Sequence, residues 1–284
     1  MNDPIFVQTS KVEAYRDFWH LALLSDYEIV PPEAVNLAAR QTYIFPTLDQ
    51  NMMECLDRVP RPDRAAHTVF WNLERPDARQ KPGVTVDRIV QDYRRGMDEI
   101  FSWVNDIWVS EKTIAAMDKR TRYVVLGGHP ELVPRGPEDS GLDVVHIGQV
   151  TPRRERLMKL LEDASFKVGY GPGWGEERAA RLRKARLMLG IDRVEGLHFG
   201  TPLRWAVAAA AGLPILQEEV PDPHPLALHE SIIMVPYNSI IVAAKALFEN
   251  QIGKDSKVAC GAREVYCKEW TFRRGIQQAM TESR

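Results

Sequence analysis

The sequence predicts an α/β protein of two doubly wound, Rossmann-like domains facing a central cleft. Three observations carry that expectation. The chain has 284 residues, room for two domains at roughly 150 residues each. Short β-branched or aromatic runs alternate with longer helix-period stretches along its length, the pattern of mainly parallel sheets covered by helices. Near the middle, 130–142 loses periodicity and collects Pro, Gly and acidic residues, as a linker does.

Composition sets outer limits. Apolar residues make up 44% and charged residues 27%, so each half can bury its own core. Lys and Arg number 37 against 39 Asp and Glu, which excludes a uniformly basic nucleic-acid coat and leaves only local basic faces. Cys55, Cys260 and Cys267 form no CxxC pair and have no histidine at zinc-ligand spacing, so reduced thiols in a cytoplasmic protein are expected. The opening MNDPIFVQTSKVEAYRDF lacks a signal-peptide pattern, and no run approaches the roughly 20 apolar residues of a membrane span.

In the first half the runs at 5–7, 27–30, 42–45, 67–71, 106–109 and 123–126 read as strands. Between them, Val86, Ile89, Val90, Tyr93, Met97, Ile100 and Phe101 recur at helical spacing and predict a helix over 86–103. After the linker the series resumes with strand 144–147, helix 153–161, strand 167–170, helix 176–185 and strand 187–191. Helix 202–211, strand 214–216 and a helical region over 239–250 complete it. The expected domains are 1–138 on the acceptor side, 139–262 for a nucleotide, and a C-terminal helix over 263–284 that crosses back.

Two strand-turn-helix segments are the strongest site candidates. In DVVHIGQVTPRRERLMKLLED, Gly148 closes an apolar strand, and Thr151 and Pro152 open a helix bearing Arg153, Arg154 and Arg156. Helix-start amides, the helix dipole and guanidinium forks together suit a diphosphate. The same residues also read as an ordinary N-cap, a first-turn proline and a solvated basic face. In LHFGTPLRWAVAAAAGLPIL, Gly200 and Thr201 precede a helix rich in small residues, which allow its N-terminus to approach a ligand. Plain packing explains that composition too, since Ala is the best helix former and Gly212 a C-cap.

The ordered combination of HIGQVTPRRERLMKLL, GWGEERAARLRKARLMLGI, TPLRWAVAAAAGLPIL and HESIIMVPYNSI resembles the C-terminal domain of GT-B glycosyltransferases, nearest to the spore-maturation, group 1-like type. It covers roughly 143–250; the first half is similar in architecture and in fragments such as WNLE. The resemblance implies donor contacts from Gly148, Arg153 and Arg154 near the phosphates, Leu203 and Arg204 at the second helix start, and Glu230. One position departs: where many retaining members place a ribose-binding glutamate, this chain has Val207, so either ribose recognition falls to another group or the donor geometry differs.

Further candidates come from the residues themselves. Glu218 and Glu219 follow a strand at its carboxyl end, where a carboxylate can hold sugar hydroxyls or merely form an acidic loop. Glu74, just past a strand in VFWNLERP, is the candidate acceptor base, with a turn cap or a pair with Arg75 as the alternative. His129 ends another strand and is a second catalytic candidate, although a lone histidine there is commonly structural. Over 151–186 basic residues outnumber acidic ones two to one, which suits phosphate-bearing ligands.

The expected activity is therefore sugar transfer from a nucleotide-diphosphate sugar, UDP-sugar favoured, to a hydroxyl acceptor. It is hexosyltransferase-like and, lacking a DxD motif, metal-independent, with no cofactor beyond the donor substrate. Within the family it resembles, the chain is similar in size to phage enzymes that glycosylate hydroxymethylated DNA bases; that resemblance implies such an acceptor in the host cytoplasm, with Trp71 or Trp174 available for stacking. A protein or envelope-glycan acceptor, a nucleotide-sugar epimerase, and a non-catalytic nucleotide-binding module remain as alternatives.

Overall fold

The structure is a computed structural model that describes residues 3–8, 16–46, 49–73, 85–133, 141–173, 175–193, 195 and 200–282. The chain divides into two compact units, 1–124 with 278–284, and 125–277. The domain boundary expected between 138 and 139 lies outside the described residues, as do Glu74, Arg75 and Trp174.

The first unit strings together β1 (Ile5–Val7), α1 (Arg16–Leu24), β2 (Ile29–Val30), β3 (Thr42–Phe45), α2 (Gln50–Asp57), β4 (His67–Asn72), α3 (Val86–Trp103), β5 (Asp106–Val109), α4 (Lys112–Met117) and β6 (Thr121–Tyr123). Its six strands form one parallel sheet in the order β2-β1-β3-β4-β5-β6. Val69, Phe70 and Trp71 are all buried, because a parallel strand covered on both faces reads as a continuous apolar run. Phe6, Phe18, Trp71 and Trp108 meet edge to face with centroids 5.2–5.6 Å apart, and the buried Trp71 Nε1 donates to Ser110 Oγ at 2.8 Å. Helix α3 starts where the Thr85 side chain accepts the Arg88 N–H and buries Ile89, Tyr93, Met97 and Ile100 on one stripe.

The second unit contains β7 (Leu142–Ile147), α5 (Pro152–Asp163), β8 (Val168–Gly171), α6 (Gly175–Lys184), β9 (Ala185–Gly190), α7 (Pro202–Ala210), β10 (Ile215–Glu218), β11 (Ile233–Val235), α8 (Ile240–Glu249) and α9 (Lys257–Glu264). A π-helical turn, Val265–Glu269, leads into α10 (Phe272–Glu282), whose last residues belong to the first unit. The parallel sheet runs β11-β10-β9-β7-β8. Leu157, Met158 and Leu161 of α5 and Ile240 and Ala244 of α8 pack on Val144, Leu187, Leu189 and Leu216 of the strands.

Two expectations shift. The strand expected over 123–126 is β6, three residues long and ending at Tyr123. The apolar run beyond it packs instead on the chain's C-terminal part: Gly128 N–H donates to Tyr266 O, and Phe272 N–H donates to Gly128 O. Close approach explains Gly127, where a Cβ would stand 2.0 Å from Trp270 O. The strand β11 was not expected from the sequence; its three residues are too few to display a period. Among the described residues no helix is long and apolar enough to cross a membrane.

Candidate functional site

Numbered within its own unit, the second sheet has strand order 2-1-3-4-5, which reverses between β7 and β9. Open α/β sheets bind ligands beyond the carboxyl ends of their strands at such a reversal, because the two neighbouring loops diverge there and leave a crevice. The turn 148–151 leaves β7 at this point, and 191–193 leaves β9.

Gly148 has φ +143°, a conformation that strains any residue with a side chain. Its N–H donates to Gly171 O at 3.2 Å, tying the turn to the end of β8. Three residues later the Thr151 hydroxyl caps α5 by accepting the Arg154 N–H, and Pro152 occupies the first turn. A Cβ built on Gly148 would stand 2.9 Å from Arg204 Nη2, 3.7 Å from His146 Nε2 and 3.8 Å from Arg154 Nη1. Residues from β7, α5 and α7 therefore converge on the bare face of one glycine.

Each member of this group is positioned by non-local bonds. Buried Arg154 donates through Nε and Nη2 to Ile191 O and through Nη1 to Gln149 O, pinning the two diverging loops to each other. The helix carrying Arg204 is fixed by the bond from Trp205 Nε1 to Gln217 Oε1, 3.1 Å, at the end of β10. That bond needs Gly190, where a Cβ would fall 1.8 Å from Gln217 Oε1. His146 is 2% exposed, and its Nδ1 lies 2.9 Å from Leu189 O. A carbonyl oxygen only accepts, so Nδ1 carries the proton and Nε2 the lone pair. Burial, then the charges of Arg204 and Arg154, hold this imidazole well below the ordinary histidine pKa, against the opposing bond to Leu189. Nε2 is buried without a hydrogen-bond partner.

Arg153 lies beside this group and is engaged differently. It grips Glu218 with both Nη atoms at 2.7 and 2.6 Å and donates to Asp192 O. Glu218, 2% exposed, also accepts the Asp192 N–H at 2.9 Å. The Arg153 guanidinium stacks 3.9 Å from the Tyr237 ring centroid, and the Tyr237 hydroxyl donates to Arg153 O. Burial works against the Arg153 charge, but the Glu218 bonds and carboxylate outweigh it and hold its pKa above the usual value.

The remaining expected residues fall as follows. Thr201 is the N-cap of α7, yet its side chain makes no capping bond and its buried Oγ1 has no hydrogen-bond partner. Leu203 is half-buried in the first turn of the same helix. Glu219 is exposed at the end of β10, with its N–H on Val235 O. Glu230 stands apart, just ahead of the amino end of β11, in contact with Lys257 at 3.4 Å. His129 belongs to the second unit, where its Nδ1 accepts the Glu131 N–H at 3.2 Å in a local turn. Among the described residues no group of three or more His, Cys, Asp or Glu is placed to hold a metal ion.

Sequence reasoning overlooked His146, Gly190, Trp205, Gln217 and Tyr237. Only His146 left a local signal, a titratable residue inside the otherwise apolar end of a strand.

No protein-family model and no curated protein matches the sequence. Among solved structures, the chain resembles Anabaena HepE in complex with UDP-glucose, with a TM-score of 0.62, 11% identity and 99% of each chain covered. It also resembles the DNA-modifying enzyme β-glucosyltransferase, with a TM-score of 0.56, 11% identity and 99% of each chain covered. A third likeness is to TarM, with a TM-score of 0.55 and 10% identity, covering 92% of this chain and 57% of that one. At these identities the likeness is one of fold: two parallel-sheet, Rossmann-like units, as in GT-B glycosyltransferases.

Proposed function

We propose that this chain is a glycosyltransferase that holds a UDP-sugar by its diphosphate beyond β7 and β9 and transfers the sugar to a hydroxyl acceptor without a metal ion. The convergence of Arg204, Arg154 and His146 on the bare face of Gly148, at the reversal of strand order, carries the reading. Arg204 is the cation we assign to the diphosphate, where a guanidinium fork matches phosphate oxygens and stabilises the charge that develops as the sugar leaves. Arg154 and Arg153, bonded to main-chain carbonyls and to Glu218, brace the loops that shape the cradle. Support also comes from the fold shared with a protein solved in complex with UDP-glucose and with a DNA-modifying β-glucosyltransferase.

The acceptor we favour is a hydroxymethylated DNA base, with Glu74 as acceptor base. Thermal unfolding tests the donor assignment, since a ligand that binds only the folded state raises the melting temperature by mass action. UDP-glucose is expected to stabilise the chain and NAD is not; equal shifts, or none, contradict the proposal. Salt-sensitive retention on duplex DNA tests the acceptor separately.

A further inference from the structure

We propose that His146 is the specificity-determining residue of this site, reading a ligand hydroxyl through its Nε2 lone pair. The inference rests on the diphosphate reading of the same cradle and adds a requirement that a diphosphate alone does not meet.

The argument starts from an unsatisfied atom. Nε2 is buried, has no partner, and sits 3.7 Å from the position a Gly148 Cβ would take, a position that Arg204 Nη2 approaches to 2.9 Å. An unpaired buried acceptor carries an uncompensated desolvation penalty, which binding of a suitable donor recovers. Diphosphate oxygens at neutral pH offer no proton, so two acceptors would face each other. Protonating Nε2 instead is opposed by burial and by the charges of Arg204 of α7 and Arg154 of α5, which outweigh the bond from Nδ1 to the Leu189 carbonyl of β9 that favours it. A hydroxyl is the group that both accepts from a guanidinium and donates to a neutral imidazole. A nucleotide-sugar presents hydroxyls on its ribose and on its sugar, and Val207 offers none of the hydrogen bonding that a ribose requires.

Two variants separate this role from a structural one. His146→Asn keeps an amide donor where Nδ1 bonds Leu189 O but removes the acceptor at Nε2. His146→Gln places an amide oxygen within reach of the Nε2 position. Calorimetry at pH 7.5 with UDP-glucose, UDP and inorganic pyrophosphate reads the outcome. His146→Asn is expected to bind UDP-glucose about five- to tenfold more weakly than the parent, pyrophosphate unchanged, with His146→Gln recovering most of the loss. Weakening shared by UDP assigns the hydroxyl to the ribose; weakening confined to UDP-glucose assigns it to the sugar. Equal binding of UDP-glucose by parent and His146→Asn overturns the inference, as does an equal loss for pyrophosphate. If the parent binds none of the three, the diphosphate reading itself fails and this one falls with it.

Discussion

Removing either partner of the Arg153–Glu218 pair tests whether that arginine braces the site or serves as a ligand cation. The carboxylate is almost wholly buried, its side chain 3% exposed against 16% for the arginine, and it also holds the Asp192 N–H. Taking away one member of a buried pair costs about 3–5 kcal/mol, because the other charge is left uncompensated. Arg153 retains some solvent contact, so Arg153→Ala and Glu218→Ala are each expected near the lower end, about 3 kcal/mol. The double variant should cost far less than the sum, with a coupling energy of about 2 kcal/mol or more. For a unit of this size such a loss lowers the melting temperature by roughly 6–12 °C. Urea unfolding followed by tryptophan fluorescence measures all three, since Trp205 and Trp270 lie in the same unit. Additive single effects, or single effects below about 1 kcal/mol, would refute the brace.

Other perturbations probe neighbouring features. Gly148→Ala forces a side chain into a backbone conformation costing roughly 1–3 kcal/mol and pushes Arg204 aside. Stability and UDP-glucose affinity should both fall, as chemical denaturation and calorimetry would show. The His146 imidazole is neutral when folded and titrates near 6.5 when unfolded. Below about pH 6.5 the unfolded chain therefore binds the extra proton, and stability falls with pH by up to about 1.4 kcal/mol per unit. His146→Asn should remove that part of the slope in unfolding measured from pH 8 to 5. Glu74→Gln is expected to lower kcat at least tenfold while leaving the UDP-glucose Kd unchanged, a split that steady-state kinetics with calorimetry resolves.

How much of this was readable beforehand depended on the distance over which each feature is determined. Strands such as Ile5–Val7, Thr42–Phe45 and Asp106–Val109, and the helix Val86–Trp103, follow from local composition and period. The turn at Gly148 and the cap at Thr151 are local too. The fate of the arginines is not. Arg153 meets a carboxylate 65 residues away, and Arg154 meets a carbonyl 37 residues away. No spacing rule announces either contact. His146 is informative only because Leu189, 43 residues on, fixes its tautomer. The run 124–128 misled for a related reason: its apolar residues are buried, but much of what covers them comes from the other end of the chain.

Isothermal titration of UDP-glucose into the parent chain and into Arg204→Ala, with chelator present, addresses the donor assignment most directly. One molecule should bind the parent, and the variant should bind about 10- to 100-fold more weakly, the worth of a charge-assisted hydrogen bond. Absence of binding to the parent, or equal affinity in the two proteins, would contradict a diphosphate held by Arg204 beside Gly148.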